Sequence, residues 1–537
     1  MKVKSTAQYA SSFGEQFTWR AVLFGALGSV IISTSSMYVA LKMGALPWPT
    51  IFVAILSLTL LKALGKTNLN EVNVTHTAMS AGAMVAGGLA FTIPGIWMLN
   101  PTARVDFLPL LVVTLAGVLL GVIFVAVTRR HFIEVERLPF PMGIAAAETV
   151  LAGDEGGEKA RWLFGSLGVA AIFTALRDKW SLIPDAWAPP QLLARNIQFG
   201  VWLSPMALGI GYIIGPLFTG TWFLGAALSY FLFIPLAVNQ GYLSLEAATA
   251  IKDSFGIGMI VGSGVGVLLK GVLPKAKEIF SPFLTGAGDI NLKRAPFLLA
   301  MIVLVLATLG GLGFIATLVT VIGVWVTTAM AATLAGQTGI DPMEIFGILV
   351  LLAVKLVSTP APQTAFFVAA VVAVACGLAG DILQDFKAGH ILKTMPQAQV
   401  YAELIGGVVG AVVAVVVIFI LHQAYGAMGP GTELVAPQAY AVSTMVSGLP
   451  NPPAFIVGLV LGIALYLLNI PGMTIGIGIY LPMVISAAAG LGGLFRVIID
   501  RKWPAFNPRA QLISSGFLGG EGVAGVIIAI IQVVTRS

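Results

Sequence analysis

Asp381, Gln384, Asp385 and Lys387 stand close together in Gly377-Leu-Ala-Gly-Asp-Ile-Leu-Gln-Asp-Phe-Lys-Ala-Gly-His390, a charged stretch between hydrophobic segments near 363–379 and 402–422. On a helix, positions 381, 384 and 385 share one face by i, i+3 and i+4 spacing. Two carboxylates this close raise each other's proton affinity and a nearby lysine lowers it, so the set would titrate as a coupled group. Its chemistry would be to hold a proton, a cation or a substrate ammonium at a cavity mouth. The plainer alternative is a cytoplasmic helix cap laced by salt bridges.

Glu148 and Glu521 are single acids among small and apolar residues. A charge at mid-bilayer costs on the order of 3 kcal/mol, so each is expected to face a cavity, a partner or a proton. With Asp381 and Asp385 they form the candidate set for proton or cation coupling. Asn73 and His76 open a segment that ends in the break Ile93-Pro94-Gly95, where an unwound helix would offer carbonyls and helix-end dipoles to a substrate. His76 is a candidate proton relay or a plain interfacial histidine. Asn73, His76, Gln384, Lys387 and Tyr480 are the candidates for lining a substrate path.

The elements that would carry these residues follow from composition. Of 537 residues 58% are hydrophobic and 10% charged, which is far from soluble usage. Mean hydropathy is +0.96. This is an all-α polytopic membrane protein. Continuous apolar runs argue against an outer-membrane barrel, whose strands alternate. Sixty-two glycines suit close helix packing and broken helices, and they permit a homodimer. The net charge of +6 comes from Lys and Arg at span ends, which points to lipid rather than nucleic acid.

Lys2, Lys4 and Arg20 before the first span, with Lys62, Lys66 and the Arg129-Arg130-His131 cluster, predict a cytoplasmic N-terminus. The loop at 270–294, with Lys270, Lys275, Lys277, Lys293 and Arg294, also reads as cytoplasmic. The polar first twenty residues are not a cleavable signal, so the first span targets the chain to the cell membrane. Short or glycine-broken segments near 138–152, 253–270 and 437–447 are candidates for re-entrant helices.

The single Cys376 excludes a disulfide framework and a cysteine metal site, and His131-x-x-Glu134 lacks further ligands at metal spacing. No cofactor or resident metal is expected. Nothing resembles a phosphate-binding loop, and no nucleophile–base set converges, so an ATP-driven pump or an enzyme is not expected.

Five ordered internal similarities point to duplication. They include Ala86-Gly-Gly-Leu-Ala90 with Ala375-Cys-Gly-Leu-Ala379, and the segment from Pro141 with the segment from Pro437. The halves would be residues 1–290 and 291–537, two pseudo-equivalent transmembrane repeats with a substrate path between them.

Leu138-Pro-Phe-Pro-Met-Gly-Ile-Ala-Ala-Ala-Glu148, Gly209-Ile-Gly-Tyr-Ile-Ile-Gly-Pro216, Gly380–His390, Gly476-Ile-Gly-Ile-Tyr-Leu-Pro482 and Gly519-Gly-Glu-Gly522 together resemble the oligopeptide transporter (OPT) family over nearly the whole chain. The resemblance implies about sixteen transmembrane helices from an internal duplication, some re-entrant or broken. It also implies proton-coupled import of small peptides or of metal chelates of the siderophore or nicotianamine kind. The chain lacks the Asn-Pro-Gly-Pro-Phe and Lys-Ile-Pro-Pro-Arg patterns of the fungal and plant peptide-transporting branch. It is more similar to the yellow-stripe-like and prokaryotic branch, which leaves peptide and chelate both open. A passive channel for small polar solutes is the alternative function.

Overall fold

Backbone amides and carbonyls in lipid must be satisfied within their own segment, so the apolar runs of this chain form helices. The computed structural model describes residues 9–44, 46, 50–155, 158–279, 295–339, 341–432 and 434–536. Lys2, Lys4, Lys293 and Arg294 of the charge-sorting argument lie outside them. Nine helices of the described residues are long and apolar enough to cross a membrane. Others fall short of that length, among them Thr50–Ala63, Pro141–Glu155, Met343–Val357 and Pro205–Ile214. Among the described residues the only strands are the two-residue pair Ala186–Trp187 and Val201–Trp202.

The chain packs as two units, and each takes a stretch from both sequence halves. One comprises Met1–Gly157, Val272–Ser447 and Ala529–Ser537; the other comprises Glu158–Gly271 and Gly448–Ile528.

The axis of the first unit is the 31-residue helix Pro362–Leu392, whose apolar stretch is wholly buried. Leu69–Ala90, Phe107–Arg130, Phe314–Thr338 and Met343–Val357 pack around it, and Pro396–Tyr425 follows it in the chain. The sequence places a span end near 379, but the helix continues through the charged stretch. No proline interrupts it before Pro396, and it stops only where Lys393 turns left-handed at φ 59°. The carboxylates of this stretch are therefore inside the core helix and not in a loop beyond it.

One local construction occurs twice in this unit. The long helices Trp19–Met43 and Phe314–Thr338 end at left-handed glycines, Gly44 and Gly339. Ala436 and Phe140, both at positive φ, donate their backbone N–H to the ends of those helices, at Leu41 and Gly336 respectively. A proline then starts each short helix, Pro437–Ser447 and Pro141–Glu155. A lysine meets the far end of each. Lys355 Nζ donates to the Met445 and Val446 carbonyls at 2.8 Å, and Lys62 Nζ to the Gly153 carbonyl at 3.3 Å. Corresponding residues are about 295 positions apart.

In the second unit the segment expected to break near 253–270 is helical throughout, in the α-helix Leu245–Val267 and the π-helical turn Leu268–Val272 that continues it. Its glycines serve close approach to Pro452–Leu467. A methyl on Gly258 or Gly262 would run into the carbonyls of Phe455 and Leu459, and one on Gly458 or Gly462 into those of Phe255 and Met259.

Candidate functional site

Asp381 and Asp385 are one turn apart on Pro362–Leu392, and Glu403 lies two turns into Pro396–Tyr425. All three are completely buried, and an oxygen from each lies within 4.8 Å of the others. Ser80 Oγ, on the Leu69–Ala90 helix, donates to Asp385 Oδ2 at 2.8 Å. His76 Nδ1, one turn earlier on that helix, stands 3.6 Å from Asp385 Oδ1. Within the described residues no donor in hydrogen-bonding geometry reaches Asp385 Oδ1 or either oxygen of Asp381 or Glu403. None of the three pairs with a Lys or Arg there. A buried unpaired charge costs several kcal/mol even after relaxation, so the three carboxyls cannot all be ionised without a countercharge.

The framework around the cluster is stapled. Gln399 Nε2 donates to the Asp385 carbonyl at 2.7 Å and to Thr77 Oγ1 at 3.3 Å. Gly389 makes room for Gln399, because a side chain there would strike its amide. Asn73 Nδ2 reaches Thr394 Oγ1 at 3.2 Å, and Asn70 Nδ2 donates to the Leu392 carbonyl at 2.9 Å, so both asparagines tie down the end of the acidic helix.

Asp381, Asp385 and His76 are thus brought together, and Asn73 supports them from the side. Gln384 and Lys387 turn elsewhere. Gln384 donates to the Ala335 carbonyl at 3.0 Å and accepts the Gly143 N–H at 2.8 Å, holding the first turn of Pro141–Glu155. Lys387 Nζ donates to the Leu138 carbonyl at 3.1 Å. Residues 384 and 385 differ by one position, about 100° around the helix, which separates their surroundings. Residues 73–77 are helical, and the backbone departs from the α-helix only at 91–93. Glu148 is exposed on Pro141–Glu155, apart from the cluster.

In the second unit Glu521 is fully partnered. It accepts from Arg177 Nη2, Ser204 Oγ and the Met206 N–H, each at 2.8 Å. Arg177 also pairs with Asp178. Tyr480 ends the short helix Gly472–Tyr480, where Lys252 Nζ caps the carbonyls of Ile479 and Tyr480 at 2.9 and 3.2 Å. Glu521 carries its own guanidinium, whereas among the described residues no Lys or Arg pairs with the three clustered acids of the first unit.

Sequence reading missed Glu403, Arg177 and Lys252. Glu403 carried the signal that singled out Glu148 and Glu521, a lone acid in an apolar run, but it sits where the run begins and reads as a span end. It also missed two further acids of the first unit. Asp341 precedes the helix Met343–Val357, with neither carboxylate oxygen bonded among the described residues, and Glu344 lies in its first turn.

Comparison with known proteins agrees with this picture. The family model described as OPT oligopeptide transporter protein matches residues 16–282 and 294–532. A Haemophilus influenzae protein named "Putative oligopeptide transporter" is 27% identical over 483 residues, 77% of this chain and 75% of that protein. Metal-nicotianamine transporter YSL2 of Arabidopsis thaliana is 34% identical over 89 residues, 15% of this chain and 13% of its own. The rice protein named "Probable metal-nicotianamine transporter YSL10" (Oryza sativa subsp. japonica) is 27% identical over 181 residues, 28% of this chain and 26% of its own. With a family match spanning both halves and the membrane-crossing helices in place, this chain belongs to the OPT oligopeptide transporter family.

Proposed function

We propose that the chain is a secondary active, proton-coupled importer of small oligopeptides or of metal chelates of the nicotianamine or siderophore kind. It works in the cell membrane by alternating access, with its N-terminus on the cytoplasmic side. The substrate classes come from the names of its relatives. The observation that carries coupling is the Asp381–Asp385–Glu403 cluster, three buried carboxyls with five oxygens that accept no hydrogen bond among the described residues. In this reading protons supply the countercharge during import. His76 faces Asp385, Asn73 holds the helix end, and Gln384 and Lys387 link the acidic helix to the short helix at Pro141 and the turn before it. Glu521 would join coupling only by exchanging its bond to Arg177, and the exposed Glu148 would act at an aqueous face. Tyr480 stands at a short-helix end suited to lining a path. The doubled helix-end construction supports reading the halves as a duplicated repeat.

Reconstituted vesicles test this. With an inward proton gradient, a peptide or a chelate accumulates above its outside concentration, and a protonophore abolishes the accumulation. Asp381→Asn, Asp385→Asn and Glu403→Gln each lose accumulation. Equal filling with and without a gradient would instead indicate a passive channel.

A further inference from the structure

We propose that Asp381, Asp385 and Glu403 form a binding site for one divalent metal cation of the hard, oxygen-preferring class. The inference rests on the reading that this cluster takes its countercharge from outside, and it adds that a metal ion can serve there.

Donors on opposite sides of a divalent ion lie about twice the metal–oxygen distance apart, roughly 4.2–5 Å for bonds of 2.1–2.5 Å. The three carboxylates offer oxygens within 4.8 Å of one another, so a small inward adjustment of the side chains lets one ion touch all three. Their oxygens are also largely uncommitted. Among the described residues only Asp385 Oδ2 accepts a hydrogen bond, from Ser80, and Oδ1 is left without a donor.

His76 supplies a separate observation. Its Nε2 lies 2.9 Å from the Thr50 carbonyl, which can only accept, so Nε2 carries the hydrogen. Its Nδ1 faces Asp385 Oδ1 at 3.6 Å, just beyond hydrogen-bonding distance. A cation between the two makes the imidazole a fourth donor, its far nitrogen anchored by a backbone carbonyl as in metal-bound histidines. Three carboxylates and one imidazole suit Mn2+ or Fe2+ and disfavour thiophilic ions. Because all four side chains are buried, the ion enters only when the helices part.

The test uses the full-length protein, purified in detergent and stripped with a chelator. Titration with Mn2+, following the free ion by electron paramagnetic resonance, is expected to show one saturable site per chain. Asp381→Asn and Glu403→Gln are expected to weaken it at least tenfold, while the exposed Glu246→Gln leaves it unchanged. In the wild-type chain Mn2+ is also expected to block carbodiimide labelling of the three carboxylates, read by mass spectrometry, so the test survives a variant that does not fold. Absence of saturable binding, affinity unchanged in Asp381→Asn, or labelling undiminished by Mn2+ would each overturn the site. No gradient or transported substrate enters these measurements. Loss of proton-driven import with Mn2+ binding intact defeats only the transport reading, and the converse defeats only the metal site.

Discussion

Arg177 and Glu521, separated by 344 residues in the chain, meet at 2.8 Å with only 3% and 4% of their side chains exposed. Two more donors complete the Glu521 carboxylate, and Asp178 shares the guanidinium. Breaking a buried pair by removing one partner typically costs about 3–5 kcal/mol, because the other charge is stranded. Arg177→Met is therefore expected to lower thermal stability in detergent sharply. The double variant Arg177→Met, Glu521→Gln should recover much of the loss. Equal stability of the single and double variants would show that no stranded charge is involved.

Helix contact in the first unit relies on Gly406. Ser29 Oγ donates to its carbonyl at 2.8 Å, and a methyl on its Cα would run into the Ala78 carbonyl. Overpacking of this sort costs about 1–3 kcal/mol. Gly406→Ala is expected to destabilise the chain by that order, whereas Gly165→Ala, which meets open space, should be neutral or slightly stabilising. Comparing their thermal melting decides it.

Lys355 closes the end of Pro437–Ser447 by donating to two carbonyls at 2.8 Å. Lys355→Met leaves these acceptors unpaired, and hydrogen exchange across 437–447 should accelerate while exchange in Pro362–Leu392 stays slow. Uniform acceleration, or none, would contradict a local capping role.

Just past the end of the span Phe107–Val135, Glu136 faces His131 at 3.2 Å and also pairs with Lys275. The His131 ring, helped by Lys275, outweighs burial and holds the Glu136 carboxyl below the ordinary glutamate value. A depressed carboxyl adds stability that is present above its unfolded value and is lost as pH falls through the folded one. The stability gap between wild type and Glu136→Gln is therefore expected near neutrality and should vanish in acid. A gap constant with pH would contradict the pairing.

The helical, polytopic character was legible because apolar runs of this length leave no other solution in lipid. Asp381 and Asp385 stood out as charges in such a run. Their true setting did not, since nothing local ends the helix at 379 and its continuation to Leu392 depends on the next breaker. Glu403 was hidden because its meeting with Asp385 is tertiary, reached across the turn at 393–395. The Glu521 partner was hidden by the same long range, since nothing local sets Arg177 apart from the other basic residues of the chain. The glycines of 253–270 misled, because a glycine that breaks a helix and one that admits a neighbour look alike in sequence.

The measurement that bears most directly on the carboxylate cluster is proton movement itself. With a pH-sensitive dye inside vesicles, adding substrate outside should acidify the wild-type interior. The triple variant Asp381→Asn, Asp385→Asn, Glu403→Gln should show no acidification even where it still exchanges labelled substrate across the membrane. Substrate entry without acidification in the wild type, or undiminished acidification in the triple variant, would contradict the assignment of coupling to these three residues.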